Sequence, residues 1–444
     1  LSGEPIGKKN KTQDPPRDIL QNIGSHFNQG SFQIALDYIA QSLKQFPKSP
    51  VLYDLQGAAN NGLGLLENAV KSYKKAIVIK PDFSEGYYNL GVILQSQGKL
   101  QEAVEVYKKA VSIKPNKVSA YSNMGVVLQE QGELKEAIEA FKKALSLQPN
   151  HASAYNNIVE FLKTCSPNQQ RNHYVFQIDR KVKKIGEKLL ITNTDKELVK
   201  NLSEALDVIS IDTINFKTPL SQIYRRNAGD LNCKRHIKIF ETQKIIPEFC
   251  FKCFKVQVEV NTILELVKLT ALLYKFEFEE NLTSKTFIEL RPNISGFYKG
   301  LVYCRGIDQA KKVKKLLDID LKKILQNEKE SEIKRGCSEF PLRYPEYGEI
   351  EKNTYKTIEY PKEWKPIEDQ FDKNHLIKGK QNLLPSLPEF CLSDFYIIRK
   401  WIDYARGLQD PSCHLFEDKP ILFQDIYEAA VLRKSKLGKT FKKV

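Results

Sequence analysis

Residues 84–115 read SEGYYNLGVILQSQGKLQEAVEVYKKAVSIKP, and residues 118–149 read VSAYSNMGVVLQEQGELKEAIEAFKKALSLQP. The two stretches lie 34 residues apart and agree in kind at almost every small or apolar position. The same period extends outward from them. Pro47, Pro81, Pro115 and Pro149 fall on it, as do Ala35, Ala69, Ala103 and Ala137. Further columns read Gly57, Gly91, Gly125, then Tyr53, Tyr87, Tyr121, Tyr155, then Ile39, Tyr73, Tyr107, Phe141. Gly30, Gly64, Gly98 and Gly132 mark a turn inside each unit. Self-similarity at a fixed period predicts a solenoid of stacked helix-turn-helix units. Small residues are needed where one helix backbone crosses close to the next, and the aromatics are expected to fill the wedge between units. Each proline ends a second helix, because it lacks an N–H and crowds the preceding turn.

These residues closely resemble the tetratricopeptide repeat (TPR) family over about residues 16–163. The unit from Pro16 is degraded, with Asn22 and Ile23 where Leu and Gly are usual, and the unit from Ala152 has only its first helix. Terminal units of a stack are expected to be atypical. The resemblance implies an α-solenoid whose concave surface is lined by first helices and holds other polypeptides. On that surface it places Tyr88, Asn89, Val92, Gln95, Ser122, Asn123, Val126, Gln129 and Asn157 as peptide-binding residues. One position within them reads Leu55, Asn89, Asn123, Asn157. Asparagines repeated on a concave face can hydrogen-bond both N–H and C=O of an extended peptide, whatever its side chains. This column is similar to the asparagine ladder in the TPR arrays of O-linked N-acetylglucosamine transferases. The other reading is that asparagine is simply common at this place in any such repeat. No lysine or arginine stands among these positions, so a clamp for a chaperone's C-terminal carboxylate is not expected. No His/Cys/Asp cluster occurs at helical spacing here, and His26 and His151 stand alone.

The chain of 444 residues has room for several domains. Its 41% hydrophobic and 28% charged residues are ordinary for a soluble protein, and no run of 18 apolar residues predicts a membrane span. Residues 1–15 are polar and read as a disordered leader. The net charge is +15, and it is uneven: residues 1–163 hold 19 Lys/Arg against 15 Asp/Glu, and the rest 50 against 39. A basic C-terminal part permits contact with nucleic acid, anionic lipid or acidic protein. A genome that favours lysine codons gives the same excess. The eight cysteines read as thiols or metal ligands rather than disulfides, which makes a cytoplasmic location the expectation.

Residues 164–223 read as a helical connector. Within it, NTDKELVKNLSEALDVI (193–209) has helical spacing and an N-cap at Asn193 or Thr194. An α+β domain is expected over 224–344. FKVQVEV (254–260) alternates, with Phe254, Val256, Val258 and Val260 on one face and Lys255, Gln257 and Glu259 on the other. NTILELVKLTALLYKF (261–276) is a helix, KTFIELRP (285–292) and FYKGLVYC (297–304) are strands, and GIDQAKKVKKLLDIDL (306–321) is a second helix. With a fourth strand from KRGCSEFPLRY (334–344), the order is that of a ferredoxin-like split βαβ. Lys299-Gly300-Leu301-Val302-Tyr303 resembles the third strand of RNA-recognition motifs. Leu301 replaces an aromatic there and the first strand offers none, so most of the base-stacking platform is missing.

Cys233-x-x-His236 and Cys250-x-x-Cys253 are two chelating pairs at a spacing that suits a tetrahedral zinc ion. Neither pair has the glycine of a zinc knuckle, and FCFKCF (249–254) equally begins a buried strand in which cysteine is a small hydrophobe. Two polar clusters could hold phosphate or carboxylate, or be salt-bridged loops. One contains Arg225, Arg226, Lys234 and Arg235, the other Glu289, Arg291, Asn293 and Lys299. No P-loop, dinucleotide glycine pattern, nucleophile elbow or HExxH is present. Residues 345–444 read as mixed helices. LSDFYIIRKWIDYARGL (392–408) directs Phe395, Ile398, Trp401, Ile402 and Ala405 to one face, and a basic tail holds Arg433, Lys434, Lys436, Lys439, Lys442 and Lys443. The whole reads as a protein-interaction or scaffold protein whose TPR array binds an extended peptide. The alternatives are an enzyme at 224–444 whose array recruits the substrate, through a pocket where Glu259, Glu289, Arg291 or the cysteines converge, and a nucleic-acid binder using the basic half.

Overall fold

The computed structural model describes residues 14–148, 151–164, 174–192, 194–210, 221–225, 233–276, 282–292, 294–325, 330–351, 354–374, 386–387, 389–416 and 419–437. The chain divides into two compact units, Leu1–Asn157 and Ile158–Val444.

Helices in antiparallel sequence pairs build the first unit: α1 (Arg17–Asn28) with α2 (Phe32–Gln45), α3 (Pro50–Gly62) with α4 (Leu66–Ile79), α5 (Ser84–Ser96) with α6 (Leu100–Ile113), and α7 (Val118–Gln131) with α8 (Leu134–Leu147). The division between units falls in the next helix, α9 (Ala152–Phe161). Inside each pair the turn carries a glycine in the left-handed region, with φ of +70° at Gly30, +77° at Gly64, +75° at Gly98 and +84° at Gly132. A Cβ is costly in that conformation, which is why the column is glycine. Pro47, Pro81 and Pro115 each stand two residues beyond the end of a second helix. Pro149 and residues 1–13 of the expected leader lie outside the described residues.

The alanine column is fully buried, as the close helix crossings require. The aromatic column adds a contact that was not expected. A Cβ added to Gly57, Gly91 or Gly125 would stand 2.6 Å from the ring of Tyr73, Tyr107 or Phe141. Each aromatic therefore fills the seam inside its own helix pair, where the glycine lets the ring lie on bare backbone. Gly125→Ala is expected to destabilise the array by about 1–3 kcal/mol, because the buried Phe141 ring must shift. Urea denaturation followed by helical circular dichroism checks this, and an unchanged midpoint would mean the seam is loose.

The second unit holds α10 (Tyr174–Ile191), α11 (Asp195–Ser210), β1 (Gln222–Arg225), α12 (Cys233–Gln243), α13 (Glu248–Phe251), β2 (Cys253–Val260), α14 (Ile263–Lys275), β3 (Ser284–Ile288), β4 (Tyr298–Arg305), α15 (Ile307–Ile324), β5 (Glu332–Arg335), α16 (Pro345–Gly348), α17 (Lys365–Asn374), α18 (Leu392–Leu408) and α19 (Gln424–Leu437). The five strands form one sheet in the order β1-β3-β4-β2-β5, and every neighbouring pair is antiparallel. The alternation of β2 is as expected. Val256 pairs with Val302 and Val258 with Gly300, on the face against which α14 packs. There a Cβ on Gly300 would stand 2.6 Å from Leu269, and Thr270 donates to Thr286 at 2.8 Å. Thr262 and Glu265 start α14 with a capping box, each side chain bonding the other's backbone N–H.

Three expectations shift. The fourth strand is Glu332–Arg335, so it begins before the stretch read for it and ends near that stretch's start. The helices α10 and α11, in the stretch read as a connector, pack against α14 and α18 within the second unit. The helix α18 is buried on nearly every side, including Arg399, Lys400 and Asp403, rather than along one stripe. Its buried carboxylates are used as ties: Asp403 accepts from the backbone N–H of Leu422 and Phe423, and Asp394 from the Tyr274 hydroxyl. No helix among the described residues is long and apolar enough to cross a membrane.

Candidate functional site

Two places gather polar side chains beyond what folding requires. The first is the face of the array carried by α3, α5, α7 and α9. Asn89 donates to Asp54 Oδ1 at 2.9 Å, Asn123 to the Tyr88 hydroxyl at 3.3 Å, and Asn157 to Ser122 Oγ at 2.9 Å. Each asparagine thus bonds the residue 35 positions earlier, on the preceding first helix. The repeated amide spends one N–H on register between repeats. Ser122 is only 1% exposed, so it is spent inside this ladder and does not present itself on the surface. Tyr88, Val92, Gln95, Val126 and Gln129 are half-buried. Gln95 donates to Glu130 at 3.3 Å.

A cation does approach this face. Lys117, before α7, is buried, pairs with Glu85 at 2.7 Å and lies 4.6 Å from the Tyr88 ring centroid. Burial pushes the Asp54 carboxyl up to about 6, against the lowering effect of the Asn89 hydrogen bond.

The second place is a cavity of about 620 Å³ over the sheet face opposite α14. Its floor is the other set of alternating residues: Gln222 and Tyr224 of β1, Lys285 and Phe287 of β3, Lys299, Leu301 and Tyr303 of β4, and Lys255 and Gln257 of β2. Its walls come from α12, α13 and residues 336–340. At one side Glu289, 2% exposed, accepts from Arg291 Nε and Nη2, both at 2.8 Å, and from Lys299 Nζ at 3.2 Å. Burial pushes this carboxyl up, but Arg291 and Lys299 more than reverse the effect and hold it at about 2. Burial pushes the Lys255 and Lys285 amines down to about 8.

The four candidate zinc ligands all reach this cavity but do not converge. Cys233 is exposed on α12, and His236, one turn on, is buried and stacks on Phe249 with ring centroids 5.2 Å apart. Cys250 and Cys253 are buried, and Cys253 packs against Gly336. Among the described residues no three His, Cys, Asp or Glu side chains gather to hold a metal ion. Burial raises the Cys250 thiol and pushes Cys253 up to about 12, whereas zinc needs thiolates. The zinc expectation is thus not supported, and Cys250 and Cys253 show the alternative of buried thiols.

Of the two polar clusters, Arg235, Glu289, Arg291 and Lys299 are ion-paired. Arg235 pairs with Glu368 and Asp372, at 2.8 and 2.6 Å, and Arg291 and Lys299 share Glu289. Arg226 and Asn293 lie outside the described residues. Arg433 is not part of a basic tail: it is buried and donates to the carbonyls of Ile294 and Gly296. Lys439, Lys442 and Lys443 lie outside the described residues. Lys285, Phe287 and Tyr224 were missed as site residues, although alternation along KTFIELRP already puts Lys285, Phe287 and Glu289 on one face.

A family model described as TPR repeat matches residues 62–98 and again 93–132, and one described as tetratricopeptide repeat matches 118–151. Among solved structures, MamA is 24% identical over 43% of this chain and 95% of its own, with a TM-score of 0.31. A thermophilic TPR protein from Thermus thermophilus is 20% identical over 44% of this chain and 92% of its own, with a TM-score of 0.30. The first TPR of Spaghetti, bound to an HSP90 peptide, is 21% identical over 26% of this chain and 91% of its own, with a TM-score of 0.25. No curated protein matches the chain. The 34-residue columns, the left-handed glycine turns and the matching family models agree that residues 62–151 are TPR repeats.

Proposed function

We propose that the array holds an extended polypeptide segment across the face carried by α3, α5, α7 and α9, and that the protein is a scaffold acting in the cytoplasm. TPR repeats support a protein-interaction role in general. The observation that carries the finer reading is the ladder. Asn89, Asn123 and Asn157 are each anchored through an N–H, which fixes the amide and turns its carbonyl toward a peptide backbone in this reading. Val92 and Val126 add apolar contact between the rungs. The seven described cysteines are unbridged, which suits a reducing compartment.

The test is a peptide selected from a random display library on the full chain, its affinity then compared with Asn89→Ala/Asn123→Ala/Asn157→Ala. Each lost neutral hydrogen bond is worth about 0.5–1.5 kcal/mol, so binding is expected to weaken about tenfold or more with helix content intact. Equal affinity in the triple variant would overturn the ladder as the contact.

The order β5-β2-β4-β3, with helices after β2 and β4, supports a ferredoxin-like reading of residues 253–335, with β1 added at one edge. Fold alone assigns no activity. A second reading, a ligand or catalytic site at 224–444, is favoured by one observation. The cavity brings together Glu289, Arg291, Cys233, Cys250, Cys253 and Cys337, although Glu259 is not in its lining.

A further inference from the structure

We propose that the cavity over the sheet binds a small organic anion with a planar aromatic body, its carboxylate or phosphate held by Lys255 and Lys285 and its ring lying among Tyr224, Phe287 and Tyr303.

The charge balance of the lining points to an anion. Five cationic side chains, Lys255, Lys285, Arg291, Lys299 and Lys334, face it against two carboxylates, Glu289 and Glu339. Glu289 is already taken by Arg291 and Lys299. That leaves Lys255 and Lys285 without an ion pair among the described residues. Lys255, 7% exposed, donates to the Gly336 carbonyl at a long 3.4 Å. Lys285 Nζ lies 3.1 Å from Gln222 Oε1 and 3.4 Å from the Tyr224 hydroxyl. A withdrawn ammonium without a countercharge is expensive, and an anion entering the cavity removes that cost.

The rings specify the rest of the ligand. Lys285 Nζ stands 5.4, 5.0 and 5.8 Å from the ring centroids of Tyr224, Phe287 and Tyr303. These faces stabilise a cation less well than a carboxylate does, and they offer a flat apolar surface beside the charge. The volume of about 620 Å³ suits an organic molecule rather than a lone ion. Walls from α12 and residues 336–340 stand over the floor, so the shape suits a small molecule and not a polymer strand laid across the sheet.

The test is calorimetric titration of the full chain with phenyl phosphate, benzoate, inorganic phosphate and neutral benzyl alcohol. At least one aromatic anion is expected to bind one per chain, about tenfold or more tighter than benzyl alcohol. The preference between phenyl phosphate and benzoate tells a phosphate ligand from a carboxylate. Lys285→Gln is expected to weaken binding about tenfold or more, the effect of losing one charge-assisted hydrogen bond. Tyr303→Leu is expected to weaken the aromatic anions and spare inorganic phosphate. Lys285→Gln removes an unpaired charge, so it is expected to melt no lower than the parent. Should it fail to fold, Lys255→Gln carries the same comparison. Absence of binding by both aromatic anions at millimolar concentration, equal binding of benzyl alcohol, or undiminished affinity in the lysine variants would overturn the proposal. None of these outcomes bears on the array.

Discussion

Glu289→Gln is expected to cost the second unit about 3–5 kcal/mol, because it leaves Lys299 buried without its charge partner. Lys299 is 4% exposed and its amine lies 3.2 Å from Glu289 Oε2, whereas Arg291 is half-exposed and can turn to water. Both tryptophans of the chain, Trp364 and Trp401, lie in the second unit, so urea denaturation followed by tryptophan fluorescence reads that unit alone. Adding Lys299→Met to the variant removes the stranded charge and is expected to recover most of the loss. The pH dependence has a definite sign. The folded carboxyl is held near 2, below its ordinary 4.5, so its contribution is fully present above pH 4.5 and is lost as pH falls toward 2. A Glu289→Gln variant that loses under 1 kcal/mol at neutral pH would contradict this account.

Arg335→Ala is expected to lose a similar amount, about 3–5 kcal/mol, through a different mechanism. The guanidinium, 3% exposed, donates to the carbonyls of Phe251 at 2.5 Å, Tyr347 at 3.0 Å and Ile358 at 3.3 Å. It also sits 5.8, 4.9 and 4.9 Å from the ring centroids of Phe251, Phe254 and Tyr347. One side chain therefore satisfies three backbone acceptors around the last, four-residue strand, whose own ladder is short. Truncation leaves those carbonyls buried and empties a pocket among rings. Arg335→Lys keeps the charge but has no planar fork, so it is expected to retain only part of the stability. Trp364 packs on Phe251 with centroids 6.3 Å apart, so its fluorescence is a local reporter of the same event.

The array was legible because every repeat states the same constraint again. The left-handed turn demands glycine at Gly30, Gly64, Gly98 and Gly132, and the bare backbone under Tyr73, Tyr107 and Phe141 demands it at Gly57, Gly91 and Gly125. What the repeat could not show is which neighbour a ring touches, and Tyr73, Tyr107 and Phe141 proved to lie on the glycine of their own unit. In the second unit, alternation found β2, where Phe254, Val256, Val258 and Val260 are all buried. The strand β1 is four residues long, and β5 ends where the pattern read for it begins, so neither left a periodic trace. The cavity was hidden for a related reason. Its floor is assembled from alternate residues of four strands, with Lys285 opposite Tyr224 on one side and Leu301 on the other. Reading one strand at a time shows a polar face and no pocket. The cysteines were visible as a spacing, but their separation along the chain says nothing of convergence in space.

Hydrogen–deuterium exchange of the full chain, with and without a display-selected peptide at saturating concentration, tests the interaction reading most directly. Added protection is expected in α5, α7 and α9, centred on the helical turns that carry Asn89, Asn123 and Asn157, with no change in residues 253–305. Protection confined to the strands under the cavity, with the array unchanged, would contradict it.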